Sequence, residues 1–184
     1  MNAPQININA RTITLKSFKT VKWMSEETIC FTAAVLIDGK VVGEASNEGH
    51  GGSTFVHFIG ENRLAVEEAA EALAKEAKPA DFKGWEFLAD KGFNFADLID
   101  ILVERHANAA SDAKFLKKIR KDAAVKLMFL TNEIVVGSGQ SRSFKKVPNE
   151  ATRLACIAHA KAKPDFKCFV SDMTDAEIFA HFAV

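Results

Sequence analysis

Tyrosine is absent from this sequence of 184 residues, and cysteine is scarce. Its three cysteines, Cys30, Cys156 and Cys168, are odd in number and widely separated, which argues against a disulfide framework. No apolar run approaches the length of a membrane span, and Met1–Arg11 shows no secretory pattern. We therefore expect a cytoplasmic protein with no membrane partner.

Net charge is also absent, because 24 basic and 24 acidic residues cancel. No overall field attracts nucleic acid, which we do not expect as a partner, and the basic run Lys114–Lys121 reads as a solvated helix face. Zero net charge does not oppose contact between copies of the chain, so it is compatible with a homo-oligomer. The five histidines show no four-ligand metal spacing, and we expect neither a metal nor a cofactor.

Alternation of apolar and polar residues dominates the first third of the chain. It begins at Thr12, turns at Asp38-Gly39 and resumes after a glycine-rich segment to reach Ile59. Asp-Gly between alternating runs is a strong hairpin signal, so the pattern predicts an antiparallel meander of about four strands. Residues 1–11 show no such pattern, and we expect a flexible N-terminus there.

Helical spacing follows the meander, and strand character then returns before further helices. The predicted helices are 61–78, 95–106, a short one from Ser111, 149–161 and 174–183, and the predicted later strands are 125–130, 134–136 and 143–147. Strands, helices, strands and helices in this order lack regular βα alternation. The sequence thus predicts a single α+β domain over residues 12–184, with an antiparallel sheet (the meander plus a later hairpin) and helices mainly on one face.

One segment could carry chemistry, the loop Asn47-Glu48-Gly49-His50-Gly51-Gly52-Ser53-Thr54. Glycines allow backbone N–H groups to converge into an anion-binding nest, and Ser53 and Thr54 add hydroxyl groups. His50 and, on the next strand, His57 add imidazoles. The alternative is a tight turn that only glycine can form. The loop matches neither a phosphate-binding GxxxxGK[ST] motif nor a GxGxxG dinucleotide motif.

A second polar loop, residues 137–143, contains Arg142 and is followed by Lys145 and Lys146. Arg142 could pair with a phosphate, or the loop could be a solvated hairpin end. If both loops faced one cavity, they would form a pocket for a phosphate-bearing molecule, with Trp23 as a stacking face. The candidate ligand-binding residues are Trp23, Asn47, His50, Gly51, Gly52, Ser53, Thr54, His57 and Arg142.

Residues 13–58 resemble the N-terminal part of uncharacterised small proteins of bacteriophage and mobile elements. The shared elements are the Asp38-Gly39-Lys40 turn, the run from Ser46 to Gly52 and the aromatic-histidine strand that follows. The resemblance carries no activity with it. It implies a phage-type accessory protein of the bacterial cytoplasm that counters host defence by binding a nucleotide signal or a host protein.

Three functions remain open from the residues. The first is a non-enzymatic protein that binds an anionic, nucleotide-like small molecule through the glycine-rich loop. The second is an inhibitor that binds a host protein through an apolar patch at Trp85, Phe87 and Phe93. The third is a phosphoester hydrolase using His50 with Glu48 or Ser53, for which no GxSxG nucleophile motif is present.

Overall fold

The computed structural model describes residues 3–88, 90–144, 147 and 149–183. The chain has an α+β fold and divides into two compact units, Met1–Ala109 and Ala110–Val184. The buried side chains form separate clusters, one within residues 6–103 and two others beyond residue 115. The single domain expected over residues 12–184 stays a prediction.

A five-stranded antiparallel sheet forms the first unit, with strands in chain order across the sheet. The strands are β1 (Gln5–Ile8), β2 (Arg11–Thr20), β3 (Phe31–Ile37), β4 (Lys40–Asn47) and β5 (Phe55–Phe58). Alternation places one set of side chains inward, among them Ile13, Val35 and Phe58, which are buried. The predicted meander is confirmed, and the Asp38-Gly39 turn joins β3 to β4 with both residues at positive φ.

Strand β1 lies within the segment expected to be a flexible start. Its residues pair with β2, from Gln5 opposite Thr14 to Ile8 opposite Arg11. Ile6 and Ile8 point into the core and are buried, and their burial holds the segment in place. Two apolar positions in a four-residue strand are too few for the alternation to be recognised in the sequence.

Helices cover the inner face of this sheet. Helix α1 (Arg63–Lys75) buries Ala70 and Leu73, and helix α2 (Phe95–Lys126) buries Leu98 and Leu102 in the same core. Two helices were predicted within the range of α2, but Ala107–Ala110 favours helix and no break occurs. The opposite face of the sheet, called the outer face below, carries the exposed residues Lys16, Thr32, Glu44 and His57.

The second unit contains the last part of α2, from Ala110, followed by a three-stranded sheet and two further helices. Strands β6 (Met128–Thr131), β7 (Arg142–Ser143) and β8 (Phe166–Phe169) lie in the order β7-β6-β8. The pairing of β6 with β7 gives the later hairpin, while the predicted strand at 134–136 is wrong because those residues form turns. Lys145 and Lys146, from the predicted strand 143–147, lie outside the described residues.

Helices α3 (Glu150–Lys161) and α4 (Asp175–Phe182) confirm the helices predicted at the end of the chain. The Asn149 side chain accepts a hydrogen bond from the Thr152 N–H, which caps α3. Thr174 and Glu177 form a reciprocal capping box at the start of α4. Of the helices in the described ranges, none has the length and hydrophobicity needed to cross a bilayer.

Candidate functional site

The glycine-rich loop, residues 47–54, joins β4 to β5 and lies against residues 21–30, which join β2 to β3. The Gly49 carbonyl accepts hydrogen bonds from the N–H groups of Glu26, Glu27 and Thr28, at 2.9, 3.1 and 3.3 Å. The two connections therefore form one hydrogen-bonded structure, called the loop end of the sheet below.

Asn47 organises this structure from within. Its Oδ1 accepts from the Thr28 hydroxyl and from the Gly49 N–H, both at 2.8 Å, and its Nδ2 donates to the Gly52 carbonyl at 2.8 Å and to Thr54 Oγ1 at 3.4 Å. The side-chain amide thus uses all its hydrogen-bonding capacity inside the protein. Asn47 is buried, and its evident role is to fix the loop.

Thr54 extends the network to helix α2. Its hydroxyl donates to the Asp100 carboxylate. Burial raises the pKa of Asp100, the Thr54 hydrogen bond acts in the opposite direction, and the negative charge of Asp97 adds to the increase. Asp100 was not among the residues predicted from the sequence, although a single carboxylate within the apolar run Leu98–Leu102 is a recognisable signal.

Two backbone amides of the loop also donate hydrogen bonds within the protein. The Gly49 N–H donates to Asn47, and the Gly51 N–H donates to Thr28 Oγ1 at 3.3 Å. At Gly49, with φ at 91°, an added Cβ would lie 2.0 Å from the Met24 carbonyl oxygen. The turn therefore requires glycine at this position, which supports the structural alternative for the loop, while Gly52 and Ser53 remain exposed.

Two predicted ligand-binding side chains project from the loop end. The His50 imidazole lies 3.1 Å from the Glu26 carboxylate, measured from Nδ1 to Oε2, and both side chains are mostly exposed. Trp23 lies in the short 3-10 helix Lys22–Met24 and is 82% exposed. The loop end is thus a firmly bonded platform that presents an indole and an imidazole to solvent.

A concave surface lies beside this platform, on the outer face of the sheet. It is a groove of about 610 Å³ lined by Ser17, Lys19, Thr32, Ala33, Ala34, Glu44, Ala45, Ser46, Phe55 and His57. The strand register arranges the outer-face residues in two cross-strand rows. One row runs Lys19, Thr32, Ser46 and Phe55, and the next runs Lys16, Ala34, Glu44 and His57.

The shape of the groove follows from an irregularity in β2. The register between β2 and β3 shifts between Lys16 and Lys19, and Ser17 has φ at 54°. Such a bulge bends its strand and increases the local twist of the sheet. The sequence pattern did not predict this bulge or the groove, although it did place Phe55 and His57 on one face.

Arg142 belongs to the second unit. Its guanidinium pairs with the Glu133 carboxylate and lies 3.9 Å from Asp165 Oδ2. The preceding loop is held by α4, because the Gly139 N–H donates to the His181 carbonyl and the His181 Nε2–H donates to the Gln140 carbonyl at 2.5 Å. The other predicted ligand-binding residues all lie in the first unit, and Arg142 has carboxylate partners of its own.

The predicted apolar patch is only partly present on the surface. Phe93 is buried, whereas Phe87 is 71% exposed and stacks on Trp85 with ring centroids 5.8 Å apart. Across the described ranges, no group of histidine, cysteine and carboxylate side chains has the arrangement of a metal site.

No protein-family model matches the chain, and neither a curated protein nor a solved structure gives a match.

Proposed function

We propose that this is a non-enzymatic binding protein that holds an anionic, nucleotide-like small molecule in the groove on the outer face of the sheet. The observation that carries the proposal is the composition of the groove, which combines an exposed phenyl ring, an ammonium group, an imidazole and several hydroxyl groups with one carboxylate, that of Glu44. Pockets for small ligands combine apolar surface with a few polar groups in this way.

Each class of side chain has a part in this proposal. Phe55 is 68% exposed and offers a face for base stacking. Lys19, in the same cross-strand row, supplies positive charge for a phosphate. Thr32 and Ser46, which lie between Lys19 and Phe55 in this row, supply hydroxyl groups. The loop end sets the position of Phe55, because its neighbour Thr54 is hydrogen-bonded to Asp100.

This proposal moves the ligand from the loop to the adjacent sheet. The amides of Gly49 and Gly51 are already hydrogen-bonded, so the loop has a supporting role here. The resemblance to phage proteins suggests the biological use: removal of a nucleotide signal on which host defence depends.

Isothermal titration calorimetry against cyclic nucleotides and ADP-ribose tests the proposal. We expect Phe55→Ala to weaken binding by about fivefold to a hundredfold, since stacking on an aromatic ring contributes about 1–3 kcal/mol per base. Phe87→Ala is the matched control, because Phe87 is similarly exposed but lies outside the groove. Lys19→Ala should also weaken binding, and Lys40→Ala should leave it unchanged. Absence of heat with every ligand would contradict the proposal.

The same ligands distinguish sequestration from hydrolysis. Chromatography after prolonged incubation should recover the nucleotide intact. Product that forms with the unaltered protein but not with His50→Ala would instead indicate a hydrolase.

A second candidate function, inhibition of a host protein, is favoured by Trp23. An indole that is 82% exposed on a firmly bonded segment has the character of an interface anchor. A stoichiometric protein partner that is lost with Trp23→Ala and retained with Lys19→Ala and Phe55→Ala would favour this function over nucleotide binding.

A further inference from the structure

The two edges of the five-stranded sheet differ in how they are protected. At the β1 edge, Arg105 Nη1 donates to the Gln5 carbonyl at 2.8 Å, and Ala77, Lys78 and Phe82 line a groove beside the strand. At the β5 edge, no described residue outside β4 makes a hydrogen bond to the backbone of Phe55–Phe58. Among the described residues, a side chain therefore bonds one backbone carbonyl at the β1 edge, whereas the backbone at the β5 edge has no such bond and is called the open edge below.

The direction of the β5 backbone groups follows from one hydrogen bond. The Ile59 N–H donates to the Val42 carbonyl at 3.0 Å, so Ile59 bonds toward β4. Along an antiparallel strand, the backbone N–H and C=O groups of successive residues point alternately to the two sides. The groups of Phe55 and His57 therefore also point toward β4. The N–H and C=O groups of Val56 and Phe58 consequently point to the open edge.

The side chains of this edge do not prevent pairing with another strand. Residues 55–59 contain no lysine, no proline and no bulge, which are common devices that protect an edge. The outer-face side chains are instead apolar at both ends of the segment, with Phe55 68% and Ile59 43% exposed. An exposed edge of this kind is suited to strand addition.

We propose that the β5 edge pairs in antiparallel orientation with the β5 edge of a second copy of this chain, centred on His57. In this register, residues 55–59 of one copy lie opposite residues 59–55 of the other. It joins Val56 to Phe58 of the second copy by backbone hydrogen bonds and sets Phe55 against Ile59 of the second copy. Both exposed apolar side chains are thereby covered, and the zero net charge of the chain does not oppose the contact.

The pairing also affects the groove. Phe55 and His57 form its wall at the β5 edge. In the dimer, His57 and Ile59 of the second copy lie directly beyond this wall, so the two sheets become continuous and each copy extends the other's groove. The dimer is inferred from the β5 edge alone, and its formation does not require a bound ligand.

Disulfide trapping tests the register. His57→Cys places a thiol at the two-fold axis in a non-hydrogen-bonded pair, where the Cα atoms of antiparallel strands are about 4.5 Å apart, within the range that a disulfide spans. We expect mild oxidation to convert most of this variant to a covalent dimer. Thr32→Cys, on the same face but on β3, and the unaltered protein with its own cysteines should remain uncrosslinked under the same conditions.

A charge exchange provides an independent test by sedimentation equilibrium. Phe55→Lys or Ile59→Glu alone should raise the dimer dissociation constant by about tenfold or more, because each replaces an apolar cross-strand contact by a charge against an apolar side chain. The double variant should recover part of the affinity, since the introduced ammonium group of one copy then faces the introduced carboxylate of the other.

The outcomes separate clearly. A monomer at millimolar concentration, equal crosslinking of the His57→Cys and Thr32→Cys variants, or no recovery in the double variant would each overturn the dimer. If a dimer forms while no nucleotide binds, the proposed function fails and this inference stands. If a nucleotide binds to a protein that is monomeric throughout, the proposed function stands and the dimer is overturned.

Discussion

The side-chain amide of Asn47 holds the glycine-rich loop together by hydrogen bonds, as backbone hydrogen bonds hold a regular turn. Its amide bonds the start and the end of the glycine-rich loop and reaches across to Thr28. The glycines of the loop are therefore not equivalent, although the sequence presents them as one motif.

Gly49→Ala should be strongly destabilising, and Gly52→Ala should be nearly neutral. Alanine at position 49 would combine a φ of 91° with a Cβ placed 2.0 Å from the Met24 carbonyl oxygen, whereas nothing lies within 4 Å of a Cβ at position 52. We expect a loss of about 3 kcal/mol or more in the free energy of unfolding for the first variant and less than about 0.5 kcal/mol for the second. Urea denaturation measures both, and equal losses would contradict the structural role of Gly49.

Asp100 gives a pH-dependent prediction. Burial raises its pKa in the folded protein above the ordinary value of 3.8. Between 3.8 and the raised pKa, the folded state holds a proton that the unfolded state has released, so the free energy of unfolding falls as the pH rises through this window. Asp100→Asn should lack the decrease in the free energy of unfolding that comes from Asp100. Glu68→Gln, at an exposed position of α1, should show the same decrease as the unaltered protein. Urea denaturation at a series of acidic pH values compares them, and identical profiles for all three proteins would show that Asp100 does not contribute.

The sequence identified the loop and several of its side chains but could not assign their partners. Asn47 and Thr54 were predicted to bind a ligand, which stays a prediction, and their hydrogen-bond partners Thr28 and Asp100 are 19 and 46 residues away in the chain. Such contacts depend on how the strands and helices pack, which local pattern does not specify. A glycine required by a turn and a glycine that exposes its amide to a ligand also look the same in sequence.

At the scale of elements, prediction succeeded where a periodic pattern was long or a cap was present. The alternation in β3 is one example, and the helices α3 and α4, which begin after the capping residues Asn149 and Thr174, are two others. It failed for β8, where the sequence Phe166-Lys167-Cys168-Phe169 is too short to show a period. It also divided α2, because a separate helix was predicted to begin at Ser111, whereas the surrounding alanines continue the helix.

Helix α4 supplies the prediction at this scale. His181 is 1% exposed and donates to the Gln140 carbonyl, so it joins the last helix to the loop before β7. His181→Ala should lower the free energy of unfolding by about 2–4 kcal/mol, through the lost hydrogen bond and the cavity that remains. His159→Ala, at an exposed position of α3, should cost less than about 1 kcal/mol. Urea denaturation followed by circular dichroism compares the two, and equal stability would contradict the role of His181.

At the scale of the whole molecule, the positions of the tryptophans offer a direct test of the two units. Trp23 and Trp85 are the only two tryptophans, and both lie in the first unit. His181→Ala should therefore lower the urea midpoint seen by circular dichroism, while the stability seen by tryptophan fluorescence stays within about 0.5 kcal/mol of the unaltered protein. Coincident shifts of both signals would show that the chain unfolds as one cooperative unit, as the sequence led us to expect.

The Gly49 carbonyl has a consequence for the timing of local opening. Because it accepts from the N–H groups of Glu26, Glu27 and Thr28, these amides are protected although they lie in an irregular connection. All three depend on a single oxygen, so a fluctuation that moves Gly49 releases them together. Their protection factors against exchange with deuterated solvent should then be nearly equal to one another, a signature that separates a shared acceptor from independent bonds.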